Sequence, residues 1–512
     1  MNVIFWNSLN GGQDLLSRYV GPYKVNHWIK KHGYTGQVID FLQYLTEDEI
    51  YLATKKFITE ETLVLGISTT FLTYNTEGKG KLTFLWKDGT YNAFPENILK
   101  AAVRLRIEYP RIKFVLGGYT SDHIYGGDIF DAVIMSYTEA SEDIFLEYLD
   151  HLKKGTQPPL SKMITKYSHI APGVPVANRI HYNEARSKVY NIEHDDFRFS
   201  KQDAVLFGET LPLDISRGCI FACRFCNYPH LGKGKLDYTR GMEYIKEELI
   251  SNYELFGVTR YMILDDTFND TVPKMEAFLA MTRTLPFKIE YSAYLRADLI
   301  DRFPDMAYML QESGLWGAFH GLESLHPYAS NLVGKAWSGK RAKDFIPKLY
   351  HDLWGKKIPQ LLSFICGLPK ETPEDIMNTL KWHKENKLHS IFFAPLGLNN
   401  PNKSNRYSIN SEFEKNADKY GFTFYEDKWY TSGWKNETWT SESSREFLGP
   451  IYKKLNENDS RRASPWVVGN MQLLGYDKEY LFNTPIQHLD NADYRSRLNS
   501  KYREYYNLVM SL

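Results

Sequence analysis

The chain has 512 residues, enough for about three domains of ordinary size, which excludes a single small module. Lys plus Arg and Asp plus Glu both number 62, so the formal net charge is zero and no overall positive field exists for nonspecific nucleic-acid binding or for an acidic membrane surface. Hydrophobic residues make up 43% of the chain and aromatic residues 15%, unlike a disordered protein, and neither a basic-headed leader nor an apolar run of about 18 residues occurs, so a globular, soluble, cytoplasmic protein is expected.

Taken in chain order, short apolar runs at 3–6, 36–41, 62–69, 112–116 and 131–135 alternate with helix-length amphipathic stretches. Five strands separated by helices predict a parallel, doubly wound sheet over 1–154. Residues 81–94 interrupt the pattern with two alternating runs around Asp88-Gly89, the signal of an inserted β-hairpin. Residues 155–211 lack a helical period and read as a connecting segment of irregular strands. A second alternation then begins, with strands expected at 213–216, 261–264, 289–295, 317–322, 361–366 and 390–394. Six βα units in sequence predict a barrel or partial barrel over 212–398, whose chemistry sits at the C-terminal ends of its strands. From 399 to 512 the chain reads as a mainly helical tail, a lid or third domain containing Trp429, Trp434, Trp439 and Trp466.

Only four cysteines occur, and three of them, Cys219, Cys223 and Cys226, form a CxxxCxxC pattern directly after the first expected barrel strand. This clustering is unlike a disulfide framework and points to metal. Three thiolates leave a 4Fe–4S cluster with one iron open to a small molecule. The competing reading adds His230 as a fourth ligand in a closed zinc site of a noncatalytic binding protein. Against it, polar clusters recur at the later strand ends: Asp265-Asp266-Thr267, Arg296-Ala297-Asp298, Gly321-Leu322-Glu323-Ser324 and Gly367-Leu368-Pro369-Lys370-Glu371-Thr372.

The cysteine spacing, with Phe225 just before the third cysteine, resembles the radical S-adenosylmethionine (SAM) superfamily, and the likeness runs from about 211 to 396. The resemblance implies that Cys219, Cys223 and Cys226 ligate a 4Fe–4S cluster and that Phe225 lies near the adenine of SAM. It also implies an electron supplied by an external donor such as flavodoxin or ferredoxin, and cleavage of SAM to a 5'-deoxyadenosyl radical. Because SAM carries an ammonium, a carboxylate and a sulfonium, Arg296 is assigned to its carboxylate and Glu323 or Asp265 to its amino group or ribose.

A five-stranded α/β domain before such a barrel is similar to the cobalamin-binding domain of one large subclass. The matching residues are Ser68 and Thr69 at the third strand end, Gly117, Gly118 and Thr120 at the fourth, and Met135-Ser136-Tyr137-Thr138-Glu139 at the fifth. The likeness implies cobalamin on the walls formed by Ser68, Thr69, Gly117, Gly118 and Thr120. Asn7-Ser8-Leu9-Asn10-Gly11-Gly12 stands where many cobalamin proteins carry DxHxxG, so the implied binding is histidine-off, and His123 reads as a surface residue. The fifth-strand sequence departs from the GEGE-like pattern, which leaves open a domain that no longer binds cobalamin. No cysteine precedes Cys219 and none follows Cys366, so one cluster is the limit. The implied function is a cobalamin-dependent methyltransferase acting on an unreactive carbon of a small-molecule or peptide substrate. The alternative is a radical SAM isomerase, epimerase or cyclase with a noncatalytic N-terminal domain. Cys366 is read as a packing residue rather than a hydrogen donor.

Overall fold

The structure is a computed structural model that describes residues 1–7, 16–68, 96–118, 131–134, 141–156, 180–182, 192–226, 238–335, 337–401, 410–426, 432–457, 462–485 and 488–512. The hairpin expected at 81–94, the fifth strand end at 135–139, and Thr69, Thr120, His123 and His230 lie outside these residues. The chain divides into two units, Met1–Tyr190 with Phe197–Phe207 and Ala492–Leu512, and Asn191–Asp196 with Gly208–Asn491.

The first unit holds six parallel strands, β1 (Val3–Trp6), β2 (Gly36–Ile39), β3 (Val64–Ser68), β4 (Lys113–Gly117), β5 (Ala132–Ile134) and β6 (Ile180–Tyr182), in the order β2-β1-β3-β4-β5-β6. The sixth strand comes from 155–211, expected as a connecting segment of irregular strands. Strands β1 and β2 are buried along their whole length, as parallel strands covered on both faces require. The helix Glu47–Phe57 starts at a capping box between Thr46 and Glu49. The terminal helix Asn491–Ser511 belongs to this unit: Tyr502 and Tyr505 are each 1% exposed, and the Asp40 backbone N–H at the end of β2 donates to the Tyr505 hydroxyl at 2.6 Å.

The second unit is a six-stranded parallel sheet whose strands lie in sequence order: β7 (Thr210–Leu213), β8 (Arg260–Ile263), β9 (Glu290–Leu295), β10 (Leu315–Glu323), β11 (Gln360–Cys366) and β12 (Ser390–Pro395). Helices between the strands cover one face, where Leu362, Phe364, Ile391 and Phe393 join Ala342, Ile346 and Ile376 in one buried cluster. The other face carries Tyr294 beside Phe319, Phe319 beside Leu361, and Ser363 beside Phe392. Tyr294 is 41% and Phe392 43% exposed, so this inner face is open. The helix Pro465–Leu473 packs under the opposite end of the sheet from the cysteine loop, with the Thr210 hydroxyl donating to the Gly469 carbonyl at 2.7 Å. The tail also holds a hairpin, β13 (Thr423–Glu426) with β14 (Ser432–Lys435). Trp434 and Trp439 are buried behind the sheet and not in a lid, their indole N–H groups on the Leu396 and Glu371 carbonyls. Among the described residues no helix is long and apolar enough to cross a membrane.

Candidate active site

Strand β7 ends at Leu213, three residues before the expected end, because Ile215 and Ser216 do not continue the ladder. Their N–H groups turn instead to one oxygen of Asp265, at 3.1 and 2.8 Å, and the Ser216 hydroxyl bonds the other. Lys274 closes this knot, 3.2 Å from Asp265 and 2.8 Å from Asp270, with both partners buried. The chain thus leaves the sheet as a fixed loop carrying Cys219, Cys223 and Cys226, all three partly exposed. Asp265 is fully buried, which pushes its carboxyl up against the pull of Lys274 and Ser216. Its oxygens bond Ile215, Ser216 and Lys274, and these bonds brace the start of the cysteine loop.

Arg224, between the second and third cysteines, clips the loop to the end of the helix Pro327–Leu332, which follows β10. Its guanidinium donates to the Leu332 carbonyl at 3.0 Å and its backbone N–H to the Val333 carbonyl. Gly334 takes φ +81° here, and a Cβ would come 3.2 Å from the Arg224 side chain. Phe225 packs, partly buried, against the barrel's apolar cluster.

Arg296 caps β9 under tight constraint. Asn269 brackets its backbone with reciprocal bonds of 2.8 and 3.0 Å. The guanidinium meets Asp298 through Nε and an Nη at 3.0 and 2.6 Å, donates to the Lys335 carbonyl at 3.1 Å, and lies 4.0 Å over the Phe221 ring of the cysteine loop. Burial opposes its charge, but Asp298 and the neighbouring thiols hold its pKa up. Glu323, 7% exposed, ends β10 and accepts from Lys335 Nζ at 2.7 Å, and the same ammonium donates to the Gly321 carbonyl at 2.7 Å. A Cβ on Gly321 would fall 2.5 Å from the Glu323 carboxylate and 3.0 Å from Lys335 Nζ, so this position keeps room for the pair. Burial pushes the Cys223 thiol up, opposed by Lys335 first and then Arg296. The structure therefore brings the cysteine loop, Arg296 and Glu323 together, and adds Lys335 and Asn269. Sequence reading missed these two because no motif surrounds either.

Among the described residues no three His, Cys, Asp or Glu side chains converge tightly enough to hold one metal ion. A 4Fe–4S cluster takes one thiolate on each of three irons and needs no such convergence, so three partly exposed thiols on one fixed loop fit it. Cys366 is fully buried on the helix-covered face, its thiol 3.5 Å from the Ser444 carbonyl, turned away from the inner face.

In the first unit a cavity of about 160 Å³ opens at the C-terminal ends of β1, β3 and β4, where the strand order reverses. Ser68, Gly117 and Gly118 line it with Phe5, Pro22 and Phe145. Gly118 takes φ +108°, and nothing lies closer to a Cβ on Gly117 than the Ile134 carbonyl at 3.8 Å. The space suits one projecting arm of a large cofactor.

Residues 213–383 match the Radical SAM superfamily. An uncharacterized methyltransferase of Pyrococcus horikoshii is 31% identical over 189 residues, 36% of this chain and 38% of that relative, so the match spans well under half of the relative's length. Among solved structures, the radical SAM methyltransferase TsrM from Kitasatospora setae, with cobalamin and a 4Fe–4S cluster bound, aligns over 98% of this chain and 99% of its own at 13% identity and a TM-score of 0.61. The cobalamin-dependent radical SAM enzyme OxsB, with aqua-cobalamin and SAM bound, aligns over 99% of this chain and 71% of its own at 13% identity and a TM-score of 0.53. At these identities the likeness is one of fold.

Proposed function

We propose, starting from a radical SAM domain at residues 213–383, that this chain is a radical SAM enzyme and a cobalamin-dependent methyltransferase acting on an unreactive carbon. The observation that carries the reading is the three-thiol loop, fixed by Asp265 and facing the charged Arg296, Glu323 and Lys335. Cys219, Cys223 and Cys226 would hold a 4Fe–4S cluster, which would supply the electron for SAM cleavage, drawn from an external one-electron donor. Glu323 accepts from the amino group of SAM, while Arg296 and Lys335 face its carboxylate. The half-exposed Tyr294 and Phe392 frame the substrate, a small molecule or peptide, on the inner face of the sheet. Cobalamin supplies the methyl carrier, and Ser68, Gly117 and Gly118 hold one of its arms in the first unit.

The test is anaerobic reconstitution with iron and sulfide, then incubation with SAM and reductant, with and without cobalamin. The proposal expects a brown protein that makes 5'-deoxyadenosine, and S-adenosylhomocysteine only when cobalamin is present. A colourless protein carrying one zinc overturns it. 5'-Deoxyadenosine without cobalamin-dependent S-adenosylhomocysteine leaves a radical SAM enzyme and removes methyl transfer.

A further inference from the structure

Glu323 has φ +65°, a left-handed backbone that strains a non-glycine residue. The Ser324 N–H donates back to the Leu322 carbonyl at 2.8 Å, so Glu323 is the apex of a three-residue γ-turn, with φ of the rare and strained sign. The β10–β11 register breaks at the same place, between Gly321 and Glu323. Such a turn persists only where its surroundings over-determine it. On one side Lys335 ties Glu323 to Gly321. On the other, the Ser324 hydroxyl accepts the His326 backbone N–H at 3.0 Å and bonds Glu371, which comes from the turn after β11.

Glu371 is 3% exposed and its second oxygen has no hydrogen-bond partner among the described residues. Its backbone is clamped as well, by the Trp439 indole N–H on its carbonyl at 2.5 Å. The groups that bear on it are Ser324, Asp375 on the following helix and Cys366 at the end of β11, and none of these is a cation. Lys370, its neighbour, points over the Tyr328 ring at 4.4 Å. A buried carboxyl without a countercharge is held neutral, and burial pushes Glu371 up to about 8.

We infer that Glu371 is a positioning residue: through Ser324 it locks the strained turn that presents Glu323 to SAM, and it does so as a neutral carboxylic acid. The inference rests on the proposed contact between Glu323 and SAM.

The experiment uses anaerobically reconstituted full-length protein and reads SAM affinity from the change that SAM causes in the electron paramagnetic resonance of the reduced cluster. Glu371→Gln, neutral and of the same shape, keeps wild-type affinity at pH 7. Glu371→Ala and Ser324→Ala each weaken SAM tenfold or more with iron content unchanged. Wild-type affinity falls as pH rises through about 8, and that of Glu371→Gln stays level to about pH 9. If Glu371→Ala does not fold, Ser324→Ala and the pH profile of Glu371→Gln decide. Undiminished affinity in Ser324→Ala, or one pH profile shared by the wild type and Glu371→Gln, overturns the inference while leaving the parent reading intact. Wild-type protein that takes up a cluster but never responds to SAM overturns both.

Discussion

The Asp265 carboxylate accepts two backbone N–H groups, one hydroxyl and one ammonium, all out of water. Removing it leaves those donors unsatisfied beside a buried Lys274, at a cost of about 3 kcal/mol or more. Asp265→Ala should therefore lower the urea midpoint and, in whatever folds, cut iron uptake by more than half. Unchanged uptake in a folded variant would show that the loop keeps its shape unaided. The ligands behave differently, since any one of Cys219, Cys223 or Cys226 changed to Ala should abolish reductive SAM cleavage with little loss of fold, as each thiol is partly exposed. 5'-Deoxyadenosine formed by the triple variant would refute the cluster assignment. Three thiols within eight positions are legible from spacing alone. The Asp265 knot is not, because a carboxylate at a strand end reads equally well as a ligand contact or a loop brace. Only the fold brings Ser216 and Lys274 to it.

Strand parity shows how far elements can be read. In β11, Leu362, Phe364 and Cys366 share the helix-covered face, while Leu361 and Ser363 face inward, an alternation that a nearly continuous apolar run conceals. Most barrel strands fall within a residue or two of their expected bounds, since buried parallel strands announce themselves as apolar runs. β7 slips by three because Asp265 captures its next N–H groups. Because Cys366 lies on the outer face against Ser444, Cys366→Ala should keep cluster and SAM cleavage, with product formation down less than tenfold and a stability cost of about 1 kcal/mol. Loss of product while 5'-deoxyadenosine continues would assign the thiol a chemical role. The same outer face holds His320 against Trp354, and the covering helix Pro373–Glu385 holds His383. Burial pushes both down to about 4. Their folded pKa lies below the unfolded value of about 6.5, so their contribution is complete above pH 6.5 and is lost as pH falls toward 4. Stability should drop on the order of 2 kcal/mol per histidine between pH 7 and pH 5. His383→Gln should remove one histidine's share of that drop in urea titrations, and a wild-type midpoint level across this range would contradict the linkage.

At the scale of the molecule, the chain end returns to the first unit, where Tyr505 bonds the end of β2 and Tyr502 stacks on Tyr44 at 3.7 Å. Nothing in the tail's sequence announces this, since a helix with buried tyrosines can pack against any apolar surface. The cavity at the reversal of strand order is more legible, because topology alone makes that place a crevice and Ser68, Gly117 and Gly118 fall on its wall. Gly117 offers a clean test of its use. A side chain there meets nothing nearer than the Ile134 carbonyl at 3.8 Å, so the sheet can accept Gly117→Val, while the added methyl groups take room from about 160 Å³. Gly66→Val is the contrasting change, for its Cβ would lie 2.9 Å from the Phe5 ring and must disturb the sheet itself. Gly117→Val should retain the wild-type melting temperature and 5'-deoxyadenosine formation, yet lose bound corrinoid absorbance after reconstitution with hydroxocobalamin and desalting. Gly66→Val should lower the melting temperature as well. If Gly117→Val holds corrinoid as tightly as wild type, the arm of the cofactor lies elsewhere. If the wild-type protein holds none, the first unit serves as a scaffold and the isomerase, epimerase or cyclase reading takes the place of methyl transfer.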